Sequence, residues 1–224
     1  MRGRLIVLEG TDGSGKATQA KLLLRSLEDR GVPCREIDFP RYGSPFAEPA
    51  ARYLRGALGD QPGDVNAYAA STMFAVDRYA SYKEDWGGFY ESGGVVVADR
   101  YTTSNAVHQA SKLPEGERRA YLDWLFDLEY GRLGLPEPDL VLYLDMPSEA
   151  AGRLMRQREQ ETDTRADIHE RDGAYLRRCR ESARQIAEDL GWVIVDCAAA
   201  DGSPRPPEDI HREAAAAVRE CLSR

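Results

Sequence analysis

The run Gly10-Thr11-Asp12-Gly13-Ser14-Gly15-Lys16-Ala17-Thr18 carries the most specific chemistry in the chain. Glycines at these intervals let successive backbone N–H groups turn inward and cradle phosphate oxygens without Cβ clashes. Lys16 brings a full positive charge to the β- and γ-phosphates of a nucleoside triphosphate. The run follows the apolar segment Leu5-Ile6-Val7-Leu8 and opens a helical stripe made by Ala17, Ala20, Leu23, Leu24 and Leu27. That strand–loop–helix setting is the context a phosphate loop requires, and the helix N-terminus adds partial positive charge. One position departs from the usual pattern. Where a Ser or Thr hydroxyl would hold Mg²⁺ stands Ala17, whose methyl cannot ligate a metal, and Thr18 points elsewhere on the helix. Mg²⁺ is therefore expected on phosphate oxygens, water and a carboxylate from another segment.

A phosphate loop does not by itself separate kinases from GTPases, ATPases or nucleotide-binding regulators. Four further segments bear on that choice. Phe39-Pro40-Arg41-Tyr42 closes an apolar run, so Arg41 is placed to reach an anion, or else lies on a loop surface. Phe74 and Arg78 are four apart on one helical face, where a ring can stack on a base and a guanidinium can bond its edge. The alternative is a core ring beside a solvated charge. Asp99-Arg100 ends another apolar run, where the acid is placed near Mg²⁺ directly or through water and the arginine near phosphate. Ser104-Asn105 opens the next helix, where small polar groups read a base edge or cap the helix.

Four short apolar runs, residues 5–8, 95–98, 140–144 and 192–195, and a weaker one at residues 35–39, must position these groups. They are continuous rather than alternating, as suits strands of a parallel sheet covered on both faces. Helical patterns fall between them, over residues 17–30, 65–83, 115–130, 148–158, 171–190 and 208–222. Gly31 is the expected exit of the first helix. This alternation predicts an α/β fold: a P-loop doubly wound three-layer sandwich with a five-stranded parallel sheet, in a single domain over residues 1–224. Residues 157–171 differ, being almost entirely polar and charged.

The 224 residues carry a net charge of −8, which disfavours a nucleic-acid partner. No apolar run approaches the length of a membrane span. Cys34, Cys179, Cys197 and Cys221 lack metal-ligand or redox spacing and read as reduced thiols of a cytoplasmic protein.

Taken together, Leu8 to Lys16, Phe39-Pro40-Arg41, Phe74 to Arg78, Asp99-Arg100-Tyr101 with Ser104-Asn105, and Pro138 to Asp145 resemble the thymidylate kinase family, in family order. The resemblance implies transfer of the γ-phosphate of ATP to dTMP, giving dTDP for dTTP biosynthesis, with Mg²⁺, by a homodimer. It implies that Phe74 stacks on thymine, that Arg78, Ser104 and Asn105 read the base, that Arg41 and Arg100 hold the dTMP phosphate, that Phe39 lines this pocket, and that Asp12 contacts the 3′-hydroxyl. Lys16, Arg100 and Asp12 form the expected catalytic set. His108 stands where the family often has a tyrosine crowding the 2′ position. Residues 157–171 resemble the mobile lid whose arginines reach over ATP; Arg153, Arg156, Arg158, Arg165 and Arg171 are candidates, with Arg158 and Arg165 in or beside its most polar part. The rival readings are a kinase for another pyrimidine nucleotide or nucleoside, or a regulator without phosphoryl transfer.

Overall fold

The computed structural model describes the backbone of residues 2–162 and 167–224, and the side chains of residues 2–155 and 167–224. Five strands, β1 (Arg4–Glu9), β2 (Cys34–Asp38), β3 (Val95–Asp99), β4 (Leu140–Asp145) and β5 (Val193–Asp196), form one sheet in the order β2-β3-β1-β4-β5. Every pairing is parallel, with Leu8 opposite Asp99 on one side and Leu142 on the other. Successive side chains of β1 enter opposite cores. Ile6 and Leu8 pack with Leu23, Leu27, Ala214 and Val218, whereas Leu5 and Val7 pack with Trp86, Tyr90 and Tyr101. Each such buried aliphatic side chain contributes about 1.5–3 kcal/mol relative to exposure. The runs in β1, β3 and β4 thus have the double-sided burial expected of them, whereas the edge strands β2 and β5 bury only Ile37 and Val195.

The helices are α1 (Lys16–Glu28), α2 (Glu48–Leu54), α3 (Ala67–Ser81), α4 (Gly87–Glu91), α5 (Thr102–His108), α6 (Glu115–Phe126), α7 (Ser148–Thr162), α8 (Gly173–Asp189) and α9 (Pro207–Leu222). Two starts fall later than the apolar pattern suggests, because side-chain caps decide them. The Asn66 side chain accepts from Ala69 N and that of Asp172 from Tyr175 N, which places the first turns of α3 and α8 after them. Two short helices, α2 and α4, escaped the sequence reading. In α4 the pair Gly87-Gly88 reads as a loop, but a Cβ at Gly87 would meet the Tyr82 carbonyl oxygen at 2.5 Å, so the glycine serves close packing. Residues 82–86 and 127–132 are π-helical turns that prolong α3 and α6.

The polar stretch is also revised. Residues 157–162 continue α7. At its other end Ile168 is 1% exposed and its N–H donates to Leu54 O, so this end docks on α2 instead of lying solvated.

Candidate functional site

The phosphate loop leaves the C-terminal end of β1 and enters α1. Gly13 and Gly15 have φ of 79° and 90°, left-handed values that favour glycine. A Cβ at Gly13 would also clash with the carbonyl oxygen of Ala151 on α7. Lys16 is 7% exposed, and its Nζ donates to the carbonyls of Gly10 at 3.0 Å and Thr11 at 3.1 Å. Burial, aided by the charge of Arg100, lowers its pKa. The Ser14 hydroxyl is buried in the loop without a protein partner.

Beside the loop lies a cavity of about 1020 Å³. Of the predicted acceptor residues, Asp12, Phe39, Phe74, Arg78, Arg100, Ser104 and Asn105 all line it. Arg41 does not. Its Nε donates to Asp77 Oδ1 at 2.9 Å and its backbone N to Asp77 Oδ2 at 2.8 Å, which fixes the guanidinium outside the lining. A strand-end arginine need not face the crevice when a buried carboxylate on the neighbouring helix claims it.

Arg100 sits where β3 turns into α5, with a left-handed φ of 71° that is costly for a residue bearing a Cβ. Its side chain pairs with Asp12, donates to Ser104 Oγ at 3.3 Å and contacts His108 Nε2 at 3.1 Å. Because guanidinium only donates, His108 accepts at Nε2. Burial opposes the charge on Asp12, but Arg100 and Lys16 outweigh it and hold the carboxyl well below the usual range. Burial and the neighbouring Arg100 keep His108 neutral.

Two fully buried carboxylates hold this pocket, and neither was given a role from sequence. Glu9 accepts from Gly10 N at 2.9 Å, Thr103 Oγ1 at 2.7 Å and Ser104 Oγ at 2.8 Å, and lies 3.8 Å from Arg100. Glu129 takes Arg78 in a two-point grip at 2.6 Å each and also accepts from Thr102 Oγ1 at 2.7 Å. The first turn of α5 is thus tied through Thr103 and Ser104 to a carboxylate under the phosphate loop, and through Thr102 and Asn105 to one under the base-reading residues. Arg78 is 1% exposed, which rejects the solvated alternative, and Ser104 and Asn105 bond within the pocket instead of capping α5. Glu129 left a faint trace in the sequence: it continues the buried stripe of Tyr121 and Leu125 at four-residue spacing, an odd place for a charge.

The far wall comes from residues 167–171. His169 stacks on His108 with centroids 5.5 Å apart. Lys112 Nζ donates to the Tyr53 hydroxyl at 2.9 Å, and that hydroxyl shares a hydrogen bond of 2.7 Å with His169 Nε2. Burial and the charge of Lys112 bring the His169 pKa down to about 3. Burial, with the nearby charge of Asp12, pushes Asp167 up to about 7. Arg171 lines the cavity, whereas the side chain of Arg158 and the whole of Arg165 lie outside what the structure describes.

Asp99 closes β3 beside the loop, and its charge acts on Lys16 and Arg100. Among the described residues no three His, Cys, Asp or Glu side chains gather as a metal cluster. One carboxylate beside a phosphate cradle fits Mg²⁺, which keeps several waters and takes its other ligands from substrate phosphates.

Comparison with known proteins returns a consistent result. The family model described as thymidylate kinase matches residues 8–203. A thymidylate kinase of Mycobacterium tuberculosis strain H37Rv is 37% identical over 190 residues, 84% of this chain and 87% of that protein. One from Halothermothrix orenii is 32% identical over 99% of both. The solved thymidylate kinase of Candida albicans superposes with a TM-score of 0.68 over 98% of this chain and 92% of its own, at 19% identity, a likeness of fold.

Proposed function

The chain belongs to the thymidylate kinase family and phosphorylates dTMP with ATP; from that premise we propose how its residues divide the work. The phosphate loop, residues 10–18, binds the triphosphate of ATP, with Lys16 on its β- and γ-phosphates. Phe74 stacks on thymine, Arg78 and Asn105 meet its edge, Phe39 and Ser104 wall the pocket, and Arg100 holds the acceptor phosphate. Asp12 orients Arg100 and takes the 3′-hydroxyl. Arg41, committed to Asp77, is assigned no direct contact. The observation that carries this reading is the bridging place of Arg100. It pairs with Asp12 of the phosphate loop while lining the acceptor cavity, so both substrates end at one guanidinium.

Phosphoryl transfer needs alignment and positive charge around the moving group. Lys16 and Arg100 supply both from opposite sides. When bound, Mg²⁺ supplies further charge neutralisation; Asp99 would hold it through water, since Ala17 offers no hydroxyl. Residues 167–171 wall the acceptor side and limit entry of water. The exposed face of α3 with Tyr68, Val76 and Tyr79 supports a homodimer, which sedimentation of the wild-type chain checks against a monomer. None of the described helices is long and apolar enough to cross a membrane. We place the enzyme in the cytoplasm, where its free cysteines are stable, and cell fractionation tests this.

The functional test is coupled ADP release over a panel of dTMP, dUMP, dCMP and no acceptor. The expected result is release that depends on the acceptor and is fastest per unit concentration with dTMP. Release independent of acceptor would overturn the reading.

A further inference from the structure

We propose that Glu129 is a positioning residue that fixes the pattern of donors and acceptors shown to the base, and thereby the preference for a 4-keto over a 4-amino pyrimidine. The inference rests on the reading that Arg78 and Asn105 meet the base edge. Glu129 is fully buried and accepts from Arg78 Nε and Nη2, from Thr102 Oγ1 and, at 3.5 Å, from Asn105 Nδ2. The same Nδ2 donates to Ser71 O at 3.3 Å. Both amide hydrogens of Asn105 are therefore directed at protein acceptors, and its carbonyl oxygen is the atom left for a ligand. Arg78 only donates. The pocket then offers one donor beside one acceptor, which complements the O4 and N3–H of thymine. Cytosine presents the reverse, an amino group and a bare N3.

Only a group that accepts everywhere can impose this pattern. A carboxylate serves Arg78, Thr102 and Asn105 together, whereas an amide has one accepting atom and one donating atom. The carboxylate also neutralises a guanidinium that would otherwise be buried unpaired. The π-helical turn at residues 127–132, into which α6 runs, carries Glu129 into this place.

The test is Glu129→Gln, measured in kcat and KM for dTMP, dCMP and ATP, with Arg78→Ala and the double variant alongside. Loss of a charge-assisted grip should raise the dTMP KM at least ~10-fold and narrow the dTMP-to-dCMP preference by a similar factor, with the ATP KM within about twofold of wild type. In the Arg78→Ala background the Gln substitution should add less than about threefold, since its two shortest contacts are to Arg78 and only the longer one to Asn105 and the one to Thr102 remain. A folded Glu129→Gln enzyme with wild-type dTMP KM and preference overturns the inference if Arg78→Ala is impaired. If Arg78→Ala is also unimpaired, the underlying reading of the base pocket falls with it. Full additivity in the double variant also overturns it. Should the Gln variant not fold, Thr102→Val removes one donor and keeps the carboxylate. A dTMP KM raised about threefold with unchanged ATP KM supports the clamp, and an unchanged dTMP KM refutes it.

Discussion

The donor and acceptor halves of the cleft are built on different principles. The phosphate loop is mostly backbone: its shape comes from glycines at Gly13 and Gly15 and from carbonyls that receive Lys16, all within a few residues of one another. The acceptor pocket is mostly side chains held by distant partners. Arg78 is placed by Glu129, 51 residues away, and Arg100 by Asp12, 88 residues away. A backbone site tolerates little change of local conformation but needs no remote support. A side-chain site is only as ordered as the carboxylates beneath it. Variants in the two halves should therefore fail differently, one in ATP use and the other in acceptor affinity and discrimination.

The largest effect expected is from Lys16→Ala. Losing charge-assisted contacts to two phosphates, each worth roughly 1.5–3 kcal/mol, should lower kcat about 100-fold while dTMP affinity by calorimetry stays within about twofold. Wild-type-like turnover would remove Lys16 from the chemistry. Next comes Gly13→Ala, which meets both a left-handed φ and the Ala151 carbonyl. It should raise the ATP KM at least ~10-fold through strain of roughly 1–3 kcal/mol; a normal ATP KM would show that the loop's shape does not depend on this glycine.

Phe74→Ala sharpens the contrast from the other half. It should weaken dTMP binding by about 1–3 kcal/mol, the range for a base stacked on a ring, without changing the ATP KM. Unaltered dTMP affinity would return Phe74 to the role of a core ring beside Tyr53. A smaller effect is expected on stability against pH. His169 is held neutral in the fold with its pKa depressed from 6.5 to about 3. Its contribution is present above pH 6.5 and is lost as pH falls toward 3, so His169→Gln should flatten the fall of Tm on acidification. Asp167 acts with the opposite sign. Its pKa is raised from 3.8 to about 7, so its contribution is present at low pH and lost as pH rises through 7. The smallest effect belongs to Ala17→Ser, which should shift the Mg²⁺ titration of activity to lower concentration by about threefold, one added oxygen ligand being a modest gain beside phosphate oxygens. An unshifted titration would show that the metal makes no use of that position.

The same contrast explains what could be read from the sequence. The parallel sheet was legible chiefly from the central strands β1, β3 and β4, which are buried on both faces, while the edge strands β2 and β5 have one buried residue each; the phosphate loop was legible because its information is local. The acceptor residues were legible as types at spacings, and all but Arg41 line the cavity. Their supports were not. Asp77 draws Arg41 aside, and Glu9 and Glu129 lie beneath helix α5, through contacts that span tens of residues. The polar stretch concealed Ile168 and His169 because composition averaged over fifteen positions hides two buried side chains. Helix starts slipped where Asn66 and Asp172 cap them, since a cap is a single residue and periodicity is a property of many.

One crystal structure with dTMP bound would test the central claim most directly. The account predicts thymine against Phe74, its O4 and N3 edge on Arg78 and Asn105, and its phosphate on Arg100. Thymine lying away from Phe74, or the phosphate held by arginines outside the cavity with Arg100 still closed on Asp12 alone, would contradict it.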